Sequence, residues 1–410
     1  MKRKTRQRVR VGGWLASLWL GVALTLLLAP DAVPAALLCP VVLLAVTGVW
    51  HRWLLDEGGV PVVAYHSVSA RGGWLPWARE NCVSPETFEQ HLCAIRRAGY
   101  SVVSVAALAE ARRSGRPLPR RCVAIDLDDG YLDNWVAAVP ILRRFGYPAT
   151  IYVCTDFVER GEQPRSTLED AEAGRCESGD LEWEGYLNWA ELCRIVAEGR
   201  VDVQSHGTDH LRVETGPRVV DTLRPDNWKR LAWVQWRAMP GPKADWFRGP
   251  EPSAQGYGTP VRENASALVG RAWEEGQREP SEDYDARVRT VLERSRSILE
   301  KELGKAVRIF CWPFNETRPR ARELAREAGY QATTGGRGEN RADESAQVIS
   351  RIHLNDRALG WHRPLAEGFV MRANLRLLSG SYYWYPVVAA INVCRRVLLP
   401  ISIRLARERA

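Results

Sequence analysis

The first fifty residues hold two long, predominantly apolar stretches, unlike the mixed pattern of the rest of the chain. They run from Val11 to Ala29 and from Val33 to Trp50, and only Pro30-Asp31-Ala32 separates them. Each is close to the roughly 20 residues that a helix needs to cross a bilayer. The pattern predicts a transmembrane helical hairpin over residues 11–50. A cleaved signal peptide would explain the first stretch but not the second.

Further along, the chain alternates between short apolar runs and amphipathic segments. Cys122-Val123-Ala124-Ile125 has the pattern of a buried strand. Residues Arg287 to Leu303 have the spacing of an amphipathic helix, which leads into an apolar strand from Val307 to Cys311. The middle segment, about residues 213–284, is less regular and rich in Trp, Gly, Pro and Arg.

Two short motifs supply candidate chemistry: Leu127-Asp128-Asp129-Gly130-Tyr131 and Ser205-His206-Gly207-Thr208-Asp209-His210. Two imidazoles and one carboxylate can hold a zinc-like metal and leave positions open for water and a substrate oxygen. A second carboxylate could then accept a proton from that water. Adjacent strand residues point to opposite faces, so we expect the chain to turn at Gly130. Alone, Asp-Asp-Gly is a common turn sequence, and paired histidines are often only surface or core residues.

A wider set of motifs accompanies these two. The residues are Pro61 to Val68, Val83 to Leu92, Arg97-Ala98-Gly99-Tyr100, Asp133-Asn134, Phe145 to Thr150, Ile309 to Phe314 and Ala328-Gly329-Tyr330. Together they resemble the polysaccharide deacetylases of carbohydrate esterase family 4, over roughly residues 58–354. The early Tyr65-His66 and the late Trp312-Pro313-Phe314 look most like the branch of poly-N-acetylglucosamine deacetylases.

The resemblance implies an α/β fold, the distorted (β/α) barrel of the NodB-homology type, with a metal at the mouth where strand ends converge. It implies Asp128 as general base, and Asp129, His206 and His210 as metal ligands. His66 would be the general acid, with a satisfied core histidine as the less favoured alternative.

Further roles follow from the same resemblance. The backbone N–H of Tyr131 would bind the oxyanion. Trp312, Pro313 and Phe314 would line the substrate groove. The metal would be zinc, with cobalt, nickel or iron as alternatives.

The chain departs from the family pattern in two places. Asp126-Leu127 stands where Thr-Phe or Ser-Phe usually precedes the paired aspartates, and we expect Asp126 to point away from the site as a turn or capping residue. Pro313-Phe314-Asn315 replaces Pro-Tyr-Gly. The tryptophans of the insertion (residues 213–284) would either form a wall of the glycan groove or pack the insertion onto the main domain.

The termini point to a membrane. Residues 1–10 form a basic tail, the connection inside the hairpin carries no base, and the positive-inside rule therefore places both ends of the hairpin in the cytoplasm. Residues 355–410 form an extension whose Tyr382 to Ala410 combines aromatic, apolar and basic residues, which is typical of a helix lying on anionic lipid. Alternatively, that helix packs on the catalytic domain.

The catalytic domain is thus expected on the cytoplasmic face of a bacterial inner membrane, although polymer deacetylases of this family act outside the cytoplasm. Nine cysteines without paired spacing also favour a reducing compartment. The two tails largely explain the net charge of +8, so we do not expect nucleic-acid binding.

The leading hypothesis is metal-dependent N-deacetylation of an amino sugar, in an envelope glycan or its polyprenyl-linked precursor. Alternatives are deformylation of a lipid-linked amino sugar, a catalytically silent glycan-binding protein, and a scaffold for membrane glycan-synthesis machinery.

Overall fold

The computed structural model describes residues 3–28, 55–239, 241–248, 256–361 and 363–407. The chain divides into two compact units. One is Pro61–Asp356, and the other combines Met1–Val60 with Arg357–Ala410. The second stretch predicted to span the membrane, Val33 to Trp50, lies outside the described residues.

Most of the described strands are short, and six of the fifteen are buried along their whole length. In chain order they are β1 Val62–Tyr65, β2 Ser67–Val68, β3 Cys82–Val83, β4 Ser101–Val102, β5 Cys122–Leu127, β6 Ala149–Val153, β7 Val201–Ser205, β8 Arg212–Thr222, β9 Pro260–Ser266, β10 Trp273–Glu274, β11 Gln277–Arg278, β12 Ile309–Phe310, β13 Ala332–Thr334, β14 Val348–Ile349 and β15 Ile352–His353.

Nine of these strands form one parallel sheet. Its order is β14-β13-β12-β7-β6-β5-β1-β15, and β4 pairs with the start of β5. The two edge strands are neighbours in sequence, because only Ser350 and Arg351 connect β14 to β15. Three residue steps span at most about 10 Å, so the two edges must approach each other. The sheet therefore curls into an incomplete barrel of parallel strands. This confirms the prediction of a distorted (β/α) barrel as far as the parallel, curled sheet is concerned.

Helices separate most of the sheet strands. The described α-helices are α1 Arg3–Leu28, α2 Ala78–Asn81, α3 Pro85–Arg97, α4 Val105–Ser114, α5 Val139–Phe145, α6 Leu168–Glu172, α7 Trp189–Ala197, α8 Ala232–Ala238, α9 Ser281–Leu303, α10 Pro319–Glu327, α11 Pro364–Leu378 and α12 Tyr385–Arg407.

Local sequence signals explain where several helices begin. The Ser84 side chain accepts a hydrogen bond from the Thr87 N–H at 3.2 Å, and Pro85 occupies the first helical position of α3. Helix α9 begins six residues before the predicted Arg287, because Pro280 precedes it and two acidic residues lie in its first turn.

The insertion has its own secondary structure. Strands β8 and β9 form an antiparallel ribbon, and the short helix α8 lies between them in sequence. Aromatic residues of this segment, including Trp233, Trp236 and Phe247, are buried in one cluster with Tyr131, Phe157 and Tyr186 of the barrel.

The second unit contains α1, α11 and α12. Two of its stretches, Gln7–Leu28 and Tyr382–Ser402, are long and apolar enough to cross a membrane by length and composition, with mean hydropathies of 1.9 and 1.2. A small apolar cluster includes Val370, Ala373, Val388 and Ile391. The structure thus offers two candidate membrane helices, of which the first overlaps the predicted stretch from Val11 to Ala29.

Candidate active site

The paired aspartates follow directly after β5. This strand continues through Leu127, two residues beyond the predicted Ile125, and all of its residues are buried. The backbone then enters the left-handed region at Asp129 (φ 71°) and again at Gly130 (φ 69°). Asp tolerates this conformation better than most residues. The predicted turn therefore begins one residue before Gly130.

Asp129, His206 and His210 come together at the carboxyl ends of β5 and β7. Asp129 Oδ1 lies 3.1 Å from His206 Nε2 and 3.5 Å from His210 Nε2. The two histidines lie in a loop rather than on a helix, with His210 at a φ of 51°. The loop geometry thus supplies the proximity that a helical turn would otherwise give.

These three side chains fit a divalent metal. Their ligand atoms all lie within 4.8 Å of one another. His206 Nδ1 lies 2.9 Å from the carbonyl oxygen of Cys311, which can only accept a hydrogen bond, so the lone pair of this imidazole is on Nε2. Asp129 Oδ1 is buried and accepts no hydrogen bond from any described residue. The ligand atoms of these three side chains are therefore close enough to one another to share one metal ion.

Asp128 belongs to a different set of contacts. Arg351 donates two hydrogen bonds to its carboxylate, from Nη1 to Oδ1 at 2.6 Å and from Nη2 to Oδ2 at 2.9 Å. Both side chains are almost fully buried, with 1% of Arg351 and 3% of Asp128 exposed. Burial favours the neutral acid, but the Arg351 charge holds the pKa of Asp128 well below its usual range. Asp128 is therefore a buried carboxylate beside the three candidate ligands.

Arg351 was missed by the sequence analysis. It lies in the connection between the two edge strands of the curled sheet, where its side chain reaches the barrel mouth. The position of this arginine between two short strands, Val348–Ile349 and Ile352–His353, could have identified it as a site residue. A charged side chain that is buried at such a position is rarely left without a partner of opposite charge.

The prediction that Asp126 points away from the site is wrong. Asp126 and Asp128 are two residues apart at the end of an extended segment, so their side chains point to the same face. The Asp126 side chain is fully buried, and its Oδ2 lies 3.5 Å from Arg351 Nη1. Burial raises the pKa of Asp126 to about 8, although the Arg351 charge opposes the shift. One guanidinium therefore lies between an ionised and a neutral carboxyl group.

His66 follows β1 and faces Asp128. Its Nε2 lies 3.9 Å from Asp128 Oδ2, and 16% of its side chain is exposed. The Asn134 side chain donates a hydrogen bond to the His66 carbonyl oxygen at 2.8 Å. Asp133 accepts hydrogen bonds from the Ser67 hydroxyl (2.5 Å) and the Val68 N–H (3.1 Å). The Asp133-Asn134 pair thus fixes the backbone on which His66 is held.

A second histidine, His353, was also not predicted. Its ring centroid lies 5.4 Å from that of His66. Burial and the Arg351 charge lower the pKa of His353 to about 4, so its imidazole is neutral at physiological pH. It supplies a neutral neighbour to His66.

The remaining predicted residues line the same mouth. Tyr131 is buried, and its hydroxyl accepts a hydrogen bond from Trp77 Nε1 at 3.1 Å. Trp312 and Pro313 are buried, whereas Phe314 is 40% exposed. The Phe314 ring lies 4.3 Å from that of His210, and its backbone is left-handed (φ 59°). Eight of the nine predicted site residues therefore line one cavity, and Pro313 lies between two of them in the sequence.

Comparison with known proteins identifies a related family. Residues 115–268 match the family model described as polysaccharide deacetylase. The chain contains a polysaccharide deacetylase domain. This confirms the expected enzyme class, since these deacetylases are hydrolases that act on the carbon–nitrogen bond of N-acetylated sugars.

One curated relative is the poly-beta-1,6-N-acetyl-D-glucosamine N-deacetylase of Escherichia coli (strain K12). It is 22% identical over 274 residues, which are 67% of this chain and 33% of that protein. The matched part of this chain thus spans about a third of the length of that relative.

Among solved structures, the de-N-acetylase from Aggregatibacter actinomycetemcomitans matches with a TM-score of 0.51 and 18% identity, covering 72% of this chain and 95% of that one. This similarity supports the fold alone.

Proposed function

We propose that this protein removes the N-acetyl group from an N-acetylated amino sugar by metal-dependent hydrolysis. The observation that carries the proposal is the division of the site into two parts. The ligand atoms of Asp129, His206 and His210 lie close enough together to bind one ion, whereas both oxygens of the neighbouring Asp128 carboxylate already accept hydrogen bonds from Arg351. A hydrolase needs this spare carboxylate, and a binding protein has no use for it.

Asp128 acts as the general base. Its carboxylate stays ionised because Arg351 holds its pKa low. It accepts the proton of the attacking water as that water adds to the acetyl carbonyl carbon. The guanidinium also fixes the carboxylate orientation through two parallel hydrogen bonds.

His66 acts as the general acid. It is fixed by the Asp133-Asn134 pair, and its Nε2 lies 3.9 Å from Asp128 Oδ2. When the carbon–nitrogen bond breaks, His66 donates a proton to the sugar nitrogen, so that acetate and a free amine leave. Its neighbour His353 is neutral and does not compete for that proton transfer.

The metal would be held by Asp129, His206 and His210, and zinc, cobalt, nickel or iron suits two imidazoles and a carboxylate. When bound, such an ion lowers the pKa of a water and polarises the acetyl carbonyl. The Tyr131 backbone N–H donates a hydrogen bond to the developing oxyanion, a contribution of about 3 kcal/mol in comparable sites.

The substrate is proposed to be an envelope glycan or its polyprenyl-linked precursor. Similarity to the poly-beta-1,6-N-acetyl-D-glucosamine N-deacetylase of Escherichia coli supports an N-acetylglucosamine polymer. The apolar stretches Gln7–Leu28 and Tyr382–Ser402 support attachment to the inner membrane beside glycan-synthesis machinery. None of the eight described cysteines forms a disulfide, which supports a catalytic domain on the cytoplasmic face.

The test is acetate release by the full-length protein, stripped by a chelator and restored with zinc or cobalt. The substrates are N-acetylglucosamine oligomers and a polyprenyl-phosphate N-acetylhexosamine. We expect metal-restored release from at least one of them. Formate release from an N-formyl analogue alone would favour deformylation, and no release with metal bound would favour a silent glycan-binding or scaffold protein.

A further inference from the structure

The loop that carries both candidate histidine ligands, residues 206–210, has a strained backbone. It enters the left-handed region at Gly207 (φ 91°) and again at His210 itself (φ 51°). A residue other than glycine keeps this conformation only where the surrounding structure enforces it. The spacing between His206 and His210 therefore depends on what holds this ligand loop in place.

The ligand loop is held by the residues that follow β6. The Thr155 N–H donates a hydrogen bond to the Gly207 carbonyl oxygen at 3.2 Å. The Asp156 N–H donates one to the Thr208 carbonyl oxygen at 2.8 Å. Two consecutive residues thus bind two consecutive carbonyl groups of the ligand loop, and any shift of Asp156 is passed to the histidines on either side of them.

A lysine of the insertion holds Asp156 in turn. The Lys243 N–H donates a hydrogen bond to the Asp156 carbonyl oxygen at 2.7 Å, and the Lys243 ammonium lies 3.6 Å from Asp156 Oδ2. Both side chains are buried, with 4% of Lys243 and 8% of Asp156 exposed. The ammonium also donates a hydrogen bond to the Gly241 carbonyl oxygen at 2.7 Å. Lys243 is therefore a buried cation whose position is fixed by its own partners.

The Lys243 charge also acts on the ligand loop itself. Asp209 lies between the two histidines in the sequence, and burial raises the pKa of its carboxyl group. The Lys243 charge is the largest influence that opposes this rise. Lys243 thus interacts with one carboxyl group on each of the two segments that its backbone contact joins.

We propose, building on the metal-dependent function above, that Lys243 is a positioning residue for the metal site. It holds Asp156 where the ligand loop is fixed, so that His206 and His210 keep the spacing that one ion requires. Lys243 does not line the cavity that the predicted site residues share. The insertion therefore acts on metal affinity through this residue, without a contact to the substrate.

The test measures cobalt affinity of the full chain in the absence of substrate. Protein stripped by a chelator is titrated with cobalt against a competing chelator, and the visible absorption of bound cobalt reports the ligand geometry. Lys243→Met should raise the cobalt dissociation constant at least about tenfold, as expected for a group that orients metal ligands, and should change the shape of the absorption band. Each constant is referred to the folded fraction of the same sample, so that lower stability alone would leave it unchanged.

Arg294→Met is the matched control. Arg294 Nη2 donates a hydrogen bond to Asp156 Oδ1 at 3.2 Å, but this side chain is 54% exposed and belongs to α9. Its loss should leave the dissociation constant within about twofold of the wild-type value, because exposed ion pairs contribute little. If Lys243→Met does not fold, Asp156→Asn decides the matter. It keeps the backbone hydrogen bonds, removes the charge that Lys243 pairs with, and should weaken cobalt binding several-fold.

A wild-type dissociation constant in folded Lys243→Met, or in Asp156→Asn where that variant decides, would overturn this inference and leave the deacetylase proposal intact. Equally weak cobalt binding by the wild type and by Asp129→Asn would instead refute the proposed metal site.

Discussion

Replacing Arg351 by Met should lower the free energy of unfolding, because it leaves the buried charge of Asp128 without a partner. The substitution keeps a side chain of similar length and removes both hydrogen bonds to Asp128. Breaking a buried ion pair by removing one partner costs about 3–5 kcal/mol, because the other charge is left without compensation. With 1% and 3% of the two side chains exposed, solvent screening does not reduce this figure appreciably.

The reverse substitution, Asp128→Asn, should cost less. Asp126 Oδ2 lies 3.5 Å from the same guanidinium and carries a proton at neutral pH, since its pKa is about 8. When Asp128 is neutralised, Asp126 can release that proton and supply the countercharge. The expected cost is then that of lost hydrogen bonds to a charged group, about 1.5–3 kcal/mol.

The assay is denaturant unfolding of the full chain, followed by tryptophan fluorescence. The lowered pKa of Asp128 stabilises the folded protein at every pH above about 3.9, the pKa of an aspartate in the unfolded chain. This stabilisation is lost as the pH falls through the pKa that Asp128 has in the folded protein. The difference between Arg351→Met and wild type should therefore be full at pH 7. Arg194→Met is the control, because Arg194 is 66% exposed in a surface pair; about 0.5 kcal/mol is expected there. Equal costs for Arg351→Met and Asp128→Asn, or a larger cost for the latter, would refute the reasoning.

Three further predictions concern the same centre. Because burial raises the pKa of Asp126 to about 8, the folded state binds its proton more tightly than the unfolded state, and stability falls between about pH 4 and that value. Asp126→Asn should remove this part of the fall in a pH series of unfolding curves; an unchanged slope would contradict it. His66→Gln should lower kcat by about 10²–10⁴-fold with metal content unchanged, and a normal kcat would exclude His66 as the acid. Chelation should lower the melting temperature in a metal-concentration-dependent way, but Asp129→Asn protein should show no such shift.

Local motifs predicted the centre well because each lies immediately after a strand of the same parallel sheet. Asp128 follows β5 and His206 follows β7, and the carboxyl ends of parallel strands meet at one edge. The sequence therefore sufficed to bring Asp129, His206 and His210 together, although not to show that Asp129 itself begins the turn.

Arg351 and Asp126 could not be predicted in the same way. The contact between Arg351 and Asp128 joins residues 223 positions apart and exists because the sheet curls until its edges meet. The burial of Asp126 depends on the same arginine, because a buried carboxyl group needs a polar or charged partner. That partner is not evident from the residues near Asp126 in the sequence. The apolar run ends at Ile125, whereas the strand continues to Leu127, and this mismatch led to the wrong orientation.

In the proposed mechanism, Asp129 holds the metal and Asp128 is the base. Metal content and acetate release can be measured in wild type, Asp128→Asn and Asp129→Asn prepared in parallel. Asp128→Asn is expected to bind metal like the wild type and to release no measurable acetate, whereas Asp129→Asn is expected to lose the metal. Acetate release by Asp128→Asn at the wild-type rate, or loss of its metal, would contradict the assignment.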